Sequence, residues 1–252
     1  MGRMSNEAIE ALIPQLDAVD ESPGAAALRA RSYELLRPAQ GAQVIDVGCG
    51  SGRAVAELTD QGVRVIGIDV SDQMIALARE RWPYGEFRLG DAYALPLEKG
   101  EAVGYRADKV IHALADPGRA LAEARRVLVA GGRIVLCGQD WDTFVIDSSD
   151  PELTRTIVRE RAGQVASPRA GRQYRNLLLD AGFRDVTVEV HTGVFTGASF
   201  LPVLTRLAEV CCEHSAITRA HADAWIADQR ERARTDRLFA AVPIFMAAAT
   251  SP

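Results

Sequence analysis

The sequence predicts an α/β fold of the Rossmann-like kind, a doubly wound parallel sheet with helices on both faces and a helical cap or lid. Three observations carry this. Short apolar runs alternate with amphipathic helical patterns from about residue 37 to 140. The first of those runs, "AQVIDVG", passes directly into the glycine-rich "GCGSG". The chain of 252 residues, 48% of them hydrophobic, is long enough for one domain with a substantial core and an added cap.

Taken in order, an amphipathic helix is expected at 5–19, where Ile9, Leu12, Ile13 and Leu16 share a face, and a second at 25–36, ended by Pro38. The period then changes. "AQVIDVG" reads as a buried strand, "RAVAELTDQG" as a helix stopped by Gly62, and "VRVIGID" as a second strand. "SDQMIALARERW" is a helix with Ser71 as its N-cap. "GEFRLGDA" and "EAVGYRA" are the third and fourth strands. "PGRALAEARRVLVAGG" is a helix opened by proline and closed by glycine, and "RIVLCGQD" the fifth strand. Beyond Asp140 the alternation loosens. A helix at 150–163, "GRQYRNLLLDAGF", the strand "RDVTVEVHT", helices near 199–213 and 218–239, and a last strand "VPIFMAAAT" complete the chain. The core is expected at about 37–192 and 241–250, capped by 1–36, 145–169 and 199–239.

The formal charge of −5 shows no long run of one sign, which speaks against a nucleic-acid partner. No stretch approaches the roughly 18 apolar residues of a membrane span. The first residues lack the apolar core of a secretory signal. Cys49, Cys137, Cys211 and Cys212 do not form a disulfide pattern, so a cytoplasmic location is expected.

The glycine loop carries the chemistry. Glycines let backbone approach a ligand, and the following helix start offers unpaired N–H groups. Asp46, just before the loop, would repel a pyrophosphate by several kcal/mol at an effective dielectric of about 20. The third glycine also arrives one residue early for the dinucleotide spacing. A ligand with a cation there removes the conflict. S-adenosylmethionine has an ammonium and a sulfonium and no phosphate. Asp46 and loop carbonyls would hold its amino group; loop N–H groups and Arg53 would hold its carboxylate. Asp69, ending the second strand, suits both ribose hydroxyls. Asp91, ending the third, suits the adenine amino group, with Ile68, Val70, Met74, Ala92 and Tyr93 around the ring.

These segments, "VIDVGCGSG", "GIDVSDQMI", "RLGDAYALP" and "EARRVLVAGGRIVL", resemble the class I S-adenosylmethionine-dependent methyltransferases over about residues 25–192. The small-molecule enzymes related to ubiquinone and menaquinone biosynthesis methyltransferases are the most similar subset. The resemblance implies a seven-stranded sheet with an antiparallel last strand. It implies that Asp46, Gly48, Gly50 and Gly52 form the cofactor loop and that Asp69 and Met74 stand at the ribose and adenine. It further implies that Asp91 and Ala92 stand at the adenine edge, and Arg106 and Ala107 at the methionine part. Arg29 or Arg31 would reach the cofactor carboxylate from the helix before the core. The chain departs from the family where "EAVGY" replaces the usual Phe-Asp, and where His112 stands one position out of register.

Methyl transfer needs alignment more than side-chain chemistry, and a base only if the acceptor loses a proton. The candidates are His112, after the fourth strand; Asp140, at the pocket rim after the fifth; and Tyr33, in the helix before the core. Each has a competing packing or capping role. Arg155, Arg159, Arg161, Arg169, Arg172 and Arg175 suit either an acidic or diphosphate-bearing acceptor or, as the favoured reading, a solvated face with local pairs. Cys211, Cys212, His214 and His221 do not suit tetrahedral ligation, and no metal is expected. The 199–239 helices are a lid or a homodimer interface. The expected function is methyl transfer from S-adenosylmethionine to an oxygen, carbon or nitrogen of a small-molecule acceptor in specialised metabolism. The alternatives are a non-methylating protein that binds the same cofactor and, behind it, an NAD(P)-dependent oxidoreductase.

Overall fold

The computed structural model describes residues 23–252; the helix expected at 5–19 lies outside them. The sheet is built on β1 (Gln43–Val47), whose Val44, Ile45 and Val47 are buried. Such β-branched runs, apolar on both faces, belong to a parallel sheet covered by helices on each side. β2 (Arg64–Asp69) and β4 (Ala102–Asp108) flank β1 in parallel, β3 (Glu86–Leu89) adds to β2, and β5 (Leu128–Gln139) to β4. β8 (Ala240–Thr250) then pairs antiparallel with β5, and β7 (Arg184–Phe195) antiparallel with β8. The order is β3-β2-β1-β4-β5-β8, with β7 on the far side of β8. This is the expected mostly parallel sheet with an antiparallel last strand. A two-residue strand, β6 (Val145–Ile146), also pairs with β8 and has no signal in the sequence. Ala247, Ala248 and Ala249 are fully buried on β8.

The helices are α1 (Pro23–Leu36), α2 (Arg53–Asp60), α3 (Asp72–Arg81), α4 (Pro117–Val127), α5 (Pro151–Gly163), α6 (Ala170–Asp180), α7 (Leu201–Glu213) and α8 (Arg219–Arg234). Ser71 caps α3 as expected, its hydroxyl accepting from Met74 N at 3.3 Å. Asp116, Asp150 and Thr218 cap α4, α5 and α8 in the same way. The helix expected to run to Gly132 ends at Val127 instead. Leu128 is already paired with Ala102 as strand, and Gly131, at φ +77°, makes the bend that follows. Two apolar clusters cover the two faces of the sheet. A third joins α5, α7 and α8 through Ile157, Leu204, Leu207, Cys211, Trp225 and Ile226, with Trp141 and Phe144 packed against it. The apolar faces of the 199–239 helices are therefore covered within the chain itself. Among the described residues no helix is long and apolar enough to cross a membrane.

Candidate functional site

Strand order reverses between β1 and β4, and a crevice opens where such a reversal parts the loops at the strands' carboxyl ends. The chain leaves β1 through Gly48, Gly50 and Gly52, whose φ values are +70°, +51° and +85°. At Gly48 a Cβ would also stand 2.3 Å from Val110 Cγ2, and at Gly52 2.7 Å from the Phe87 ring. Gly50 meets nothing within 4 Å, so its missing side chain leaves open space at the cleft. The N–H groups of Gly48 and Cys49 both donate to Ile68 O, at 2.7 and 3.1 Å. Asp69 accepts from Gly50 N and Ser71 N, each at 2.9 Å, and so fastens the loop to the start of α3. Each Asp69 oxygen keeps a further lone pair for a ligand hydroxyl.

The cleft, about 180 Å³, is walled by the loop with Arg53, by Met74 and Leu77 of α3, by Arg29, and by Asp46, Arg106, Asp108 and Lys109 at the strand ends. Asp46 and Arg106 are register partners on β1 and β4, so their side chains meet on one face. Arg106 donates to Asp46 Oδ1 at 2.7 Å, to Asp108 Oδ2 at 2.9 Å and to Ser32 Oγ at 2.9 Å. Arg106 and Asp46 are 3% and 2% exposed. Burial works against the guanidinium's charge, but Asp46 and Asp108 outweigh it and hold Arg106 protonated. Asp46 is not a lone acid at the mouth of the loop: the cleft floor sets Arg106 and Lys109 against Asp46 and Asp108. A floor with both signs suits a zwitterionic aminoacyl group, whereas a diphosphate would satisfy the cations and leave the carboxylates repelled. Asp108 and Lys109 are absent from the residues expected at the site. Asp108 lies two residues after Arg106 on the same strand face, and that spacing is the signal that could have found it.

The helix before the core brings Arg29, not Arg31, to the cleft. Arg31 turns away to Glu189 of β7 (Nε to Oε2, 2.8 Å) and to Glu34, so its assignment is corrected. Arg29 is paired with Glu57 at 3.0 Å. Tyr33 is also corrected. Its hydroxyl donates to Glu57 at 2.7 Å, its ring is buried beside Arg106, and burial first raises its pKa out of the range of a useful base. Val70, Asp91 and Ala92 follow the carboxyl ends of β2 and β3 outside the cleft walls; Val70 and Asp91 are exposed, and Ala92 is buried. Asp91 accepts from Tyr93 N at 2.9 Å. Ala107 is buried in the core beside Arg106.

A second group gathers beyond β4 and β5, under the third apolar cluster. His112 sits in a short 3-10 turn, Ile111–Ala113. Its ring lies edge-on to Trp141 (centroids 5.6 Å), Trp141 stacks on Phe144 (5.5 Å), and the Arg161 guanidinium lies 4.4 Å from the Trp141 ring centre. Burial first, then Arg161 and Lys109, push the His112 pKa down to about 4, so the imidazole is neutral at pH 7. His112 Nδ1, Trp141 Nε1 and Gln139 Oε1 are buried with no partner among the described residues. Native interiors pair nearly all such atoms, so unpaired ones mark a place for a ligand or water. Asp140 does not join them. It is fully buried, accepts from Arg172 Nη2 at 2.8 Å and Asp142 N at 3.0 Å, and holds α6 to the end of β5, which corrects its assignment as a catalytic acid.

A glycine loop at the switch point of a doubly wound sheet, floored by charges of both signs, suits a nucleoside carrying a zwitterionic tail. A sequence model described as a methyltransferase domain matches residues 45–136. An uncharacterised 37.1 kDa protein in a Streptomyces fradiae transposon is 38% identical over 209 residues, covering 79% of this chain and 61% of that protein. The O-methyltransferase cnsE of Penicillium expansum is 32% identical over 163 residues, 61% of this chain and 56% of that one. The chain thus spans about three fifths of the length of these relatives. Among solved structures, Haemonchus contortus phosphoethanolamine N-methyltransferase 2, in complex with phosphomonomethylethanolamine and S-adenosylhomocysteine, superposes with TM-score 0.64 at 18% identity, over 99% of this chain and 58% of that one. The [4+2]-cyclase SpnF superposes with TM-score 0.61 at 19% identity, over 98% and 95%. At such identities the likeness is one of fold. Residues 45–136 are thus similar to a methyltransferase domain, and the fold is the one these solved structures share.

Proposed function

We propose that this chain transfers the methyl group of S-adenosylmethionine to a small-molecule acceptor, and that the accepting atom is a hydroxyl oxygen. The observation that carries the reading is the cleft floor, where Asp46 and Asp108 stand beside Arg106 and Lys109 under the glycine loop. The two carboxylates suit the cofactor's ammonium; Arg29 and Arg53 are placed for its carboxylate. Asp69 is the acceptor for the ribose hydroxyls, with Met74 and Val70 beside the adenine and Asp91 at its amino edge. The cofactor supplies a methyl carbon already activated by its sulfonium.

The chain's own residues then align and deprotonate. His112, neutral and with Nδ1 unpartnered, accepts the hydroxyl proton as the oxygen–carbon bond forms and the carbon–sulfur bond breaks, the electron pair staying on sulfur. The aromatic cluster of Trp141 and Phe144 keeps water from the reacting oxygen. The O-methyltransferase among the curated relatives supports oxygen as the acceptor atom. The test is release of S-adenosylhomocysteine with a panel of hydroxylated aromatics: turnover that falls at least about a hundredfold in His112→Gln is expected, and turnover unaffected by that change would contradict the assigned base. The cyclase neighbour favours a second reading, in which the cofactor is bound but not consumed. A product that forms with no loss of methyl label from the cofactor would select it.

A further inference from the structure

Of the six arginines between 155 and 175, five have partners at hand. Arg155 pairs with Glu152, Arg159 with Glu160 at 2.9 Å, Arg169 with Asp142, and Arg172 with Asp140; Arg175 donates to Val186 O at 3.0 Å. They make the solvated, locally paired face that such a segment ordinarily forms. Arg161 is the exception. Its guanidinium is half-buried against Trp141, and among the described residues no carboxylate or carbonyl accepts from it.

The groups facing it are of the same sign or neutral. Arg206 of α7 is a cation, itself paired with Glu213, and Lys109 acts on His112 with the same sign as Arg161. The Cys211 thiol is bonded to Ile157 O, and burial first raises its pKa, so it stays uncharged. Among the described residues this half-buried guanidinium, held near another cation, has no counter-ion, and burial pushes its pKa down. Around the same Trp141 ring stand two of the unpartnered polar atoms, His112 Nδ1 and Trp141 Nε1.

We propose that this cluster is the acceptor subsite and that it selects a planar aromatic acceptor bearing a carboxylate, with Arg161 as the carboxylate anchor. The ring lies beside the Trp141–Phe144 stack, the carboxylate takes the Arg161 fork, and the reacting hydroxyl points to His112. Arginine presents two parallel donors that match a carboxylate, and a carboxylate seated there supplies the missing charge. One free guanidinium matches one negative charge, which favours a carboxylate over a diphosphate. The inference rests on the methyltransferase reading for the role of the bound ring, but not for the binding itself.

The test uses the full chain, with and without saturating S-adenosylhomocysteine, titrated with 4-hydroxybenzoate, 6-hydroxy-2-naphthoate and the methyl ester of each. Quenching of tryptophan fluorescence reports occupancy. The acids should bind at least about tenfold more tightly than their esters, as expected for a charge-assisted hydrogen-bonded pair. In Arg161→Gln the preference should fall below about threefold, with ester affinity kept, while Arg161→Lys keeps part of it and Arg155→Gln, on the same helix, keeps all of it. Esters binding as well as acids, no acid binding, or a preference that survives Arg161→Gln would each overturn the proposal. Loss of S-adenosylhomocysteine binding with the acid preference intact would overturn the cofactor reading instead.

Discussion

Around the glycine loop the polar groups are already bonded to one another. Asp69 holds Gly50 and Ser71, Arg106 holds Asp46, Asp108 and Ser32, and Glu57 holds Arg29 and Tyr33. Across the strand ends, under the cap helices, His112 Nδ1, Trp141 Nε1 and Gln139 Oε1 are buried without partners among the described residues, and Arg161 has a ring but, among those residues, no acid. The first half is pre-organised, so a ligand entering it meets fixed charges and pays little to reorder them. The second half is incomplete until something fills it. The proposed methyl transfer needs that division: one site common to every turnover, and one that distinguishes among acceptors.

The comparison breaks most readily at Arg106. Arg106→Met leaves Asp46 buried without its cation and should cost about 3–5 kcal/mol in denaturant unfolding; a loss under about 1 kcal/mol would show that the pair is hydrated rather than buried. Gly48→Ala should cost about 3 kcal/mol by adding strain at φ +70° to the 2.3 Å clash with Val110, and should abolish S-adenosylhomocysteine binding in whatever folds. Normal binding by that variant would mean that the loop is not rigid.

On the acceptor side, His112 makes stability depend on pH. Its folded pKa, about 4, lies below the ordinary value of 6.5, so the unfolded chain binds a proton that the folded chain refuses. Stability from this group is present above pH 6.5 and is lost as pH falls toward 4, amounting to about 2–3 kcal/mol. Melting curves of His112→Gln should be flatter across that window than those of the parent chain. Equal slopes would place His112 in water. The smallest effect is at Asp69, which sharpens the picture without breaking it. Asp69→Ala should weaken S-adenosylhomocysteine about tenfold or more by calorimetry, a loss of about 1.4 kcal/mol. Unchanged affinity would confine Asp69 to holding the loop.

The same contrast separates what is legible in the sequence from what is not. The strands, the loop and the capped helices follow from local rules, because β-branched runs, glycines at positive φ and a Ser71 cap act within a few residues of themselves. Gly182, at φ +83°, ends α6 at the place its position in the sequence predicts. The corrected residues all turn on partnership at long range. Arg31 and Arg29 are two apart on one helix, yet one meets Glu189 and the other Glu57. Tyr33 and Asp140 carry groups suited to chemistry, but Glu57 and Arg172 occupy them. The early end of α4 is of the same kind, since pairing with Ala102 claims Leu128 for the sheet. In the sequence Arg161 is one of six similar arginines, and only three-dimensional packing leaves it without an acid among the described residues.

The claim on which the account depends is that the balanced charges below the glycine loop take a zwitterionic nucleoside and refuse a dinucleotide. Calorimetry of the full chain with S-adenosylhomocysteine, then with NADH, tests it directly. The account predicts that S-adenosylhomocysteine binds at one site per chain and that NADH neither binds nor competes. NADH displacing S-adenosylhomocysteine from that site, or a folded chain that binds NADH alone, would contradict it.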